Sequence, residues 1–484
     1  MRRAVFFTVF PSIMLPMFMS SVDQTIVATA LPAIAAELGD VERVSWVVVA
    51  YLVANTIAAP VYGRLGDVLG RKRMLFVALG MSMLGSVLCT LSGSMLMLTF
   101  ARIIQGFGGG GLMTMAQALI GEAIPPRERG RYQAYLAATF VTSSTFGPVA
   151  GGYLTQHLGW RAVFAVSLMV GCAAMGLATR LTPRPPAGGR LQFDVWGTIF
   201  FASFVAPALL ALQGFHHLNA AALPGIALLL GLALVALIML LRQEKRAPAP
   251  LLPLNLLRQP GIWRTNAMAA CIGAAMVSMI SFLPMYLQVV RGITPSETGF
   301  LMLPMTVGIG FGAMFTGRLI SATGRTTLFP RIGLPITASS FAALAFLAPH
   351  LTIAQLPWAF ALISFSMGSG MPVVQMTVQT VAGPKFLGAA SASVQLARSI
   401  GAAFGTALVG AVLFALLALR DTDIASQFAD LVQRGPTILA TLTEARRAEV
   451  QQEISAAFSG AFLTMSGLIT VALAFAWWIP VRRI

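Results

Sequence analysis

The sequence predicts an all-α polytopic membrane protein, and its composition is the first reason. Of the 484 residues, 57% are hydrophobic and 10% are charged, with a mean hydropathy of +0.81. Soluble globular chains carry about 25% charged residues. Three long stretches contain no Asp, Glu, Lys or Arg; they run from Val195 to Leu241, from Thr265 to Val290 and from Ile332 to Pro384. This pattern excludes an ordinary soluble enzyme.

The lengths of the apolar runs predict about fourteen membrane-spanning helices. A helix needs about 20 apolar residues to cross about 30 Å of hydrocarbon. Charged, polar, glycine and proline breaks divide the chain into runs near 6–36, 45–66, 73–92, 95–121, 131–157, 161–180, 195–213, 219–241, 262–290, 297–321, 328–349, 354–381, 387–418 and 458–479. The first run is interpreted as an uncleaved span because it continues past Asp23.

The basic residues predict the orientation. The net charge is +16, but the Lys and Arg residues occupy short gaps between apolar runs instead of one solvated face, which argues against nucleic acid as a partner. They concentrate in alternate connections, such as the one with Arg71 and the one with Lys245 and Arg246. Because Lys and Arg are retained in cytoplasmic loops, both termini are predicted to be cytoplasmic.

An internal repeat predicts two six-helix bundles. The nine residues from Gly63 (GRLGDVLGR) and the nine from Gly317 (GRLISATGR) agree at five positions, and their offset is 317 minus 63, or 254 residues. Six helices with their loops need roughly 190 residues, so two additional helices are expected between the halves. The predicted divisions are an N-terminal bundle at 1–181, a linker with two extra transmembrane helices at 182–260, and a C-terminal bundle at 261–484. The last contains an outer loop at 420–455, with an amphipathic helix at 444–454.

Five segments carry recognisable motifs. They are Val22–Pro32, Gly63–Arg73, Arg102–Gly106, Gly147–Gly152 and Leu283–Gln288. Together they resemble the major facilitator superfamily, specifically its fourteen-helix drug:proton antiporter branch, and the resemblance spans nearly the whole chain. It implies the major facilitator fold, in which two six-helix bundles, here with two additional helices, rock about a midplane cavity.

Three charged residues are candidates for proton coupling. Asp23 lies deep in the first span, where a carboxylate is costly and is a functional candidate by default. Arg102, inside the fourth span, could assist proton release from it. Glu122, near the end of that span, is the next acid considered. Alternatively, Asp23 is itself a permanent hydrogen-bond acceptor, and Arg102 has only a structural role.

The resemblance assigns a conformational latch to Gly63, Asp67, Gly70 and Arg71. The glycines allow a sharp turn and close approach of neighbouring helices, and Asp67 can pair with arginines or with a helix N-terminus. Such a latch would hold the cytoplasmic side closed. The alternative, that the basic residues only anchor the loop inside, leaves Asp67 unexplained.

The resemblance also associates Gly147, Pro148, Gly151 and Gly152 with antiport. Pro148 removes a hydrogen bond within the helix, while Gly147 and Gly151 lie one turn apart and permit close helix packing. A pivot between two transport states and ordinary packing both explain this pattern.

Polar residues inside spans are candidates for lining a substrate cavity: Gln105, Tyr286, Gln288, Gln375 and Gln379. Methionines of the second half could surround it, because their flexible thioethers adapt to different apolar molecules; ordinary packing is the alternative. They are Met268, Met276, Met279, Met285, Met302, Met305, Met371 and Met376. Arg398, also within a span, is interpreted as structural.

These patterns predict a transporter, not an enzyme, that needs no cofactor and no metal. The expected function is export of hydrophobic, cationic or amphipathic drugs across a bacterial inner membrane in exchange for protons, which would confer antibiotic resistance. The expected partners are small hydrophobic substrates, protons and membrane lipids. A periplasmic adaptor and an outer-membrane channel are further partners that the sequence neither requires nor excludes. The alternatives are a dedicated exporter of a lipid or natural metabolite and, from another class, a membrane enzyme or sensor.

The orientation can be tested by labelling single cysteines in a variant whose three native cysteines are replaced by alanine. An impermeant thiol reagent added to intact cells should label Asp430→Cys and leave Lys245→Cys unmodified, because the first loop is predicted outside and the second inside. The reverse labelling pattern would overturn the predicted topology.

Overall fold

The computed structural model describes residues 2–39, 43–182, 193–214, 223–420 and 444–481, and these ranges form seventeen α-helices. The first half contains α1 (Arg2–Thr25), a 3₁₀ turn (Ile26–Thr29), α2 (Leu31–Leu38), α3 (Trp46–Leu69), α4 (Arg71–Thr90), α5 (Met95–Ala123), α6 (Pro126–Leu158) and α7 (Arg161–Ala178). Between the halves lie α8 (Val195–Gly214), α9 (Leu223–Arg246) and the short α10 (Leu254–Leu257). The second half contains α11 (Pro260–Met285), a π turn (Tyr286–Val290), α12 (Pro295–Thr323), α13 (Leu328–Leu347), α14 (Leu356–Gly368), α15 (Gly370–Ala382), a 3₁₀ turn (Pro384–Phe386), α16 (Leu387–Arg420) and α17 (Glu444–Trp478).

The prediction of an all-helical, multi-span chain is confirmed in these ranges, while the count of fourteen is not. In the described ranges, twelve helical segments are long and apolar enough to cross a membrane when α14 and α15 are counted as one segment. The bent pair of α1 and α2 would make thirteen. The 33-residue α6 is not among them. Its length is sufficient for a span, but several charged and hydroxyl side chains lower its hydropathy.

Two predicted helices differ from the observed ones. The first run bends by 61° between Thr29 and Leu31, where Pro32 at the start of α2 has no amide hydrogen to continue the helix. The predicted helix at 444–454 is observed, but it is continuous with the last span: these residues are the first turns of α17, which continues to Trp478. Residues 421–443 of the predicted outer loop at 420–455 lie outside the described residues, as do residues 183–192 and 215–222 of the predicted linker at 182–260.

Each half has its own buried apolar core. In the first half, one cluster contains Tyr62 and Leu112 and another contains Trp160 and Phe164. In the second half, a single large cluster joins α11 to α17 and contains Phe341. Two bodies with separate cores can move relative to each other as units. The predicted division points at 181 and 260 stay predictions.

The helix pair α8 and α9 packs on the seam between the halves. Phe201, Val205 and Leu209 of α8 form a buried cluster with Val61 of α3, while Leu396 and Ala403 of α16 lie against the same cluster. The pair is held together at one end, where Asp194 Oδ1 accepts hydrogen bonds from the Gly197 amide at 2.8 Å and from Gln243 Nε2 at 2.9 Å.

The glycines of α6 lie against the end of α1 and the turn that follows it. A Cβ at Gly147 would lie 2.2 Å from Thr25 Oγ1, and one at Gly151 would lie 2.5 Å from the Ile26 carbonyl oxygen. A Cβ at Gly152 would meet nothing within 4 Å. Close approach therefore requires glycine at 147 and 151, and these contacts link α6 to the segment directly after Asp23.

This packing predicts a contrast between two adjacent glycines. Gly151→Leu should lower the free energy of unfolding by about 1–3 kcal/mol, because the new side chain must displace the backbone at Ile26. Gly152→Leu is the matched control and should leave stability nearly unchanged. The measurement is the thermal unfolding midpoint of the protein purified in one detergent. Equal midpoints for the two variants would show that α6 does not pack as described.

Candidate functional site

Asp23 is buried inside the first half, two residues before the end of α1. Its side chain is 1% exposed. The Ser167 hydroxyl of α7 donates a short hydrogen bond to Oδ1, whereas Oδ2 has no hydrogen-bond partner among the described residues. A buried carboxylate with one unsatisfied oxygen has room to accept a proton there.

Arg102, the second candidate for proton coupling, lies beside Asp23 and links three helices. The residue is 0% exposed. Its Nη2 donates to the Asp23 backbone carbonyl at 3.3 Å and its Nε to the Val47 carbonyl at 3.2 Å. The guanidinium also lies over the Tyr51 ring, 4.1 Å from its centroid. Because Arg102 contacts the backbone of Asp23 and not its carboxylate oxygens, the cation stabilises this region without a direct ion pair.

The structure places Gln105 in this buried cluster and not at the central cavity. Its Oε1 accepts from Arg102 Nη1 at 2.6 Å and its Nε2 donates to Ser86 Oγ at 2.9 Å. Tyr51, whose hydroxyl donates to the Ser20 carbonyl at 3.0 Å, completes the cluster. Sequence reasoning missed Tyr51, Ser86 and Ser167, although each is a polar residue within an apolar run.

The predicted latch residues meet the second half at one end of the molecule, here termed the latch end. Asp67 Oδ1 accepts from the Gly388 amide at 2.9 Å and Oδ2 from the Ala389 amide at 3.0 Å. These are first-turn amides of α16, which have no partner within the helix. Arg71 donates to Asp67 Oδ1 at 2.7 Å and to the Pro384 carbonyl at 3.0 Å. The latch end is therefore closed by polar contacts between the halves.

Glu122 belongs to this latch and not to the surroundings of Asp23. Arg71 Nη1 donates to Glu122 Oε2 at 2.6 Å, so one arginine joins two carboxylates. Gly70, between α3 and α4, has φ +97°, a left-handed value that glycine adopts without strain. A Cβ at Gly63 would lie 2.7 Å from the Gly388 carbonyl oxygen, so glycine permits the two halves to touch there.

The repeat places an equivalent crossing on the other side of the seam. Ser321 occupies the position in α12 that Asp67 occupies in α3, at the same offset of 254 residues. Its Oγ accepts from the Arg131 amide, near the start of α6, at 3.1 Å. A Cβ at Gly130 would lie 2.6 Å from the Gly317 carbonyl oxygen. Both crossings thus set a side-chain oxygen against a backbone amide near the start of a helix in the opposite half.

A cavity lies between the halves, directly beyond the latch. Its volume is about 80 Å³, enough for several waters. Its walls come from α1, α5 and α6 of the first half and from α11, α12, α15 and α16 of the second. The lining residues include Met17, Met113, Thr114, Gln117, Gln133, Phe140, Ile272, Ile309, Met371, Gln375, Gln395 and Arg398.

Of the five residues predicted to line a cavity, Gln375 alone is in this wall. Tyr286 is 0% exposed and packs edge-on against Phe458 and Phe462 of α17. Gln288 lies in the π turn next to it, away from the cavity wall. Gln379 is not in the wall itself, but it donates to the Gln117 carbonyl at 2.8 Å and to Ser391 Oγ at 3.2 Å, and both of these residues line the cavity.

Other residues of the wall were missed by sequence reasoning. Of the eight candidate methionines, Met371 alone lines the cavity, and Met17 and Met113 of the first half join it. Arg398, interpreted from the sequence as structural, is also in the wall. The helical spacing of Gln395 and Arg398, one turn apart, was a usable indication that both face one side.

Known proteins resemble the chain over most of its length. The Major Facilitator Superfamily model matches residues 13–406. Rv1877, an uncharacterized MFS-type transporter of Mycobacterium tuberculosis (strain ATCC 25618 / H37Rv), is 34% identical over 425 residues, which cover 87% of this chain and 61% of that protein. The chain therefore matches less than two thirds of that relative. The multidrug transporter protein MdtP of Bacillus subtilis (strain 168) is 31% identical over 403 residues, 83% of this chain and 74% of MdtP.

A solved structure resembles the fold. The proton:xylose symporter XylE has a TM-score of 0.65 over 99% of this chain and 97% of its own, at 14% sequence identity, and this likeness concerns the fold alone. The family and the transporters within it indicate a membrane transporter and not an enzyme. With two helical halves around a cavity and a family match that spans most of its length, the chain belongs to the Major Facilitator Superfamily.

Proposed function

We propose that this protein exports hydrophobic or amphipathic compounds in exchange for protons, by alternating access between the two halves. The observation that carries the proposal is Asp23, a buried acid with one unsatisfied oxygen. Such an acid inside a membrane bundle suits a proton relay. The cavity between the halves is the proposed cargo site, and the latch is the proposed gate at its cytoplasmic end.

The path from Asp23 to the cavity runs along α1. Met17, in the cavity wall, precedes Asp23 by six residues, or about 9 Å along the helix axis. The other side of Asp23 continues into the turn against Gly147 and Gly151 of α6, and α6 also lines the cavity. Protonation removes the negative charge of Asp23 and its electrostatic attraction to the nearby Arg102 guanidinium, while the hydrogen bond from Arg102 to the Asp23 backbone remains. In the proposed mechanism, this change lets the end of α1 shift together with α6.

In the proposed mechanism, the latch opens and closes one end of the cavity. Asp67 accepts hydrogen bonds from two first-turn amides of α16, and Arg71 donates one to the Pro384 carbonyl just before that helix. The ion pairs of Arg71 with Asp67 and Glu122 lie within the first half. Water can replace the hydrogen bonds between the halves when they rock apart. The cavity is then exposed at the latch end in one state and closed there in the other.

The finer assignments belong to the same proposal. Counting α6 and the bent pair α1–α2 as spans gives the fourteen helices of the drug:proton antiporter branch, in a bacterial inner membrane with both termini cytoplasmic. The relative MdtP is named a multidrug transporter, which supports drugs as cargo and a contribution to antibiotic resistance. A periplasmic adaptor with an outer-membrane channel is a compatible partner. The second candidate function is dedicated export of a lipid or metabolite, because the apolar part of the cavity wall suits such a cargo equally well.

Proton coupling is tested by replacing the acid of Asp23. In proteoliposomes with a pH-sensitive dye inside, Asp23→Asn should abolish substrate-induced proton flux, because the amide keeps the shape but cannot release a proton. Asp23→Glu should retain part of the flux. Glu297→Gln is the matched control: it removes an exposed acid that caps α12, and it should behave as the wild type.

Two outcomes contradict this assignment. Undiminished flux in Asp23→Asn would remove Asp23 from the proton path and turn attention to Glu122. A structural carboxylate would give the opposite order of variants, with Asn tolerated and Glu disruptive through overpacking.

A further inference from the structure

Arg398 presents a guanidinium at the cavity wall, and no carboxylate of the described residues pairs with it. Its contacts are neutral: Nη2 donates to Gln395 Oε1 at 2.9 Å, and the guanidinium lies 5.7 Å from the centroid of the Phe140 ring. Charged groups inside a membrane bundle are normally paired with opposite charge or face a water-filled path. Arg398 therefore has unused capacity to bind an anion.

The position of Arg398 is built into the packing of the second half. A Cβ at Gly273 of α11 would lie 2.9 Å from Arg398 Cγ and 2.9 Å from its carbonyl oxygen. Only glycine leaves room for this part of α16 at that distance. The stem of Arg398 is thus fixed against α11, which directs the guanidinium to the seam where Phe140 of the first half lies.

The remaining wall combines unsatisfied polar atoms with apolar surface. Thr114 Oγ1, Gln117 Oε1 and Gln133 Nε2 are buried and have no hydrogen-bond partner among the described residues. The lining residues include no Asp or Glu. The same wall contains thioether and aliphatic side chains, which accept an apolar body: Met17, Met113, Ile272, Ile309 and Met371.

We propose that the cavity binds amphipathic organic anions, with a carboxylate- or sulfonate-type group on Arg398 and an apolar body against the methionines. The guanidinium fork matches planar and multi-oxygen anions, and Gln133 can add a second donor. The proposal rests on the proposed export function, since it names the charge of the cargo. It replaces the cationic cargo expected from the sequence, because the wall offers a cation no carboxylate.

The test is equilibrium binding to the full chain in lipid nanodiscs, with empty nanodiscs as the blank. Three probes share one ring system and differ in charge: 2-naphthalenesulfonate, 2-naphthol and 2-naphthyltrimethylammonium. The wild type should bind the sulfonate at least about tenfold more tightly than the ammonium. Arg398→Gln should weaken sulfonate binding roughly tenfold to hundredfold, in line with loss of a charged hydrogen bond, and remove the preference.

The matched control removes a positive charge elsewhere in the second half. Arg331 donates to backbone carbonyls of Ala476 and Trp477, outside the cavity, so Arg331→Gln should bind the three probes as the wild type does. Arg398→Lys should keep the preference for the sulfonate with weaker affinity, because lysine retains the charge without the fork. This variant decides the question if Arg398→Gln does not yield monodisperse protein; unchanged sulfonate affinity would then exclude Arg398.

Equal or tighter binding of the ammonium by the wild type would overturn the proposal. So would a sulfonate preference that survives Arg398→Gln. Because binding is measured without a proton gradient, these results are independent of proton flux. A protein that binds the sulfonate through Arg398 but shows no flux would contradict proton exchange and leave the anion site intact.

Discussion

The contact between the Asp67 carboxylate and the first amides of α16 is the interaction on which the arrangement of the two halves depends. First-turn amides have no partner within their own helix and carry partial positive charge from the helix dipole. Asp67 satisfies two of them from the opposite half, and Arg71 ties the same carboxylate to Glu122 and to the Pro384 carbonyl. A closure of this kind is strong when assembled and can be undone by water, unlike a buried apolar interface. In the proposed mechanism, the cavity beyond it opens at that end when these contacts break.

Because of the internal repeat, the two halves meet at two equivalent crossings, which differ in their chemistry. Asp67 and Ser321 occupy equivalent positions, and each accepts a backbone amide from near the start of a helix in the other half. At the first crossing the amides meet the Asp67 carboxylate, which Arg71 also binds, whereas at the second the amide meets the neutral hydroxyl of Ser321. Hydrogen bonds to charged groups are worth more than neutral ones, so the Asp67 crossing dominates the closure.

How far the sequence predicts this site depends on whether a residue's partner lies nearby in the chain. The helices and the internal repeat follow from hydropathy and local pattern, and the latch follows from the family resemblance. The pairing of Asp23 with Arg102 as candidates follows from the scarcity of charges within spans. The direction in which a polar side chain points within a span cannot be predicted from the local sequence. Gln105 lies one turn from Arg102 and binds it, while Tyr286 packs against Phe458 and Phe462, more than 170 residues further along the chain. Arg398 faces the cavity because Gly273 admits α16 at close range, a contact that no local pattern encodes.

The most direct test of alternating access is a pair of spin-label distance measurements in nanodiscs. One pair, at Arg73 and Arg325, spans the halves at the latch end, and the other, at Leu91 and Ile353, spans them at the opposite end; all four residues are exposed. Acidification should lengthen one distance and shorten the other, and Asp23→Asn should abolish this response. Distances that stay fixed, or that change in the same direction at both ends, would contradict the account.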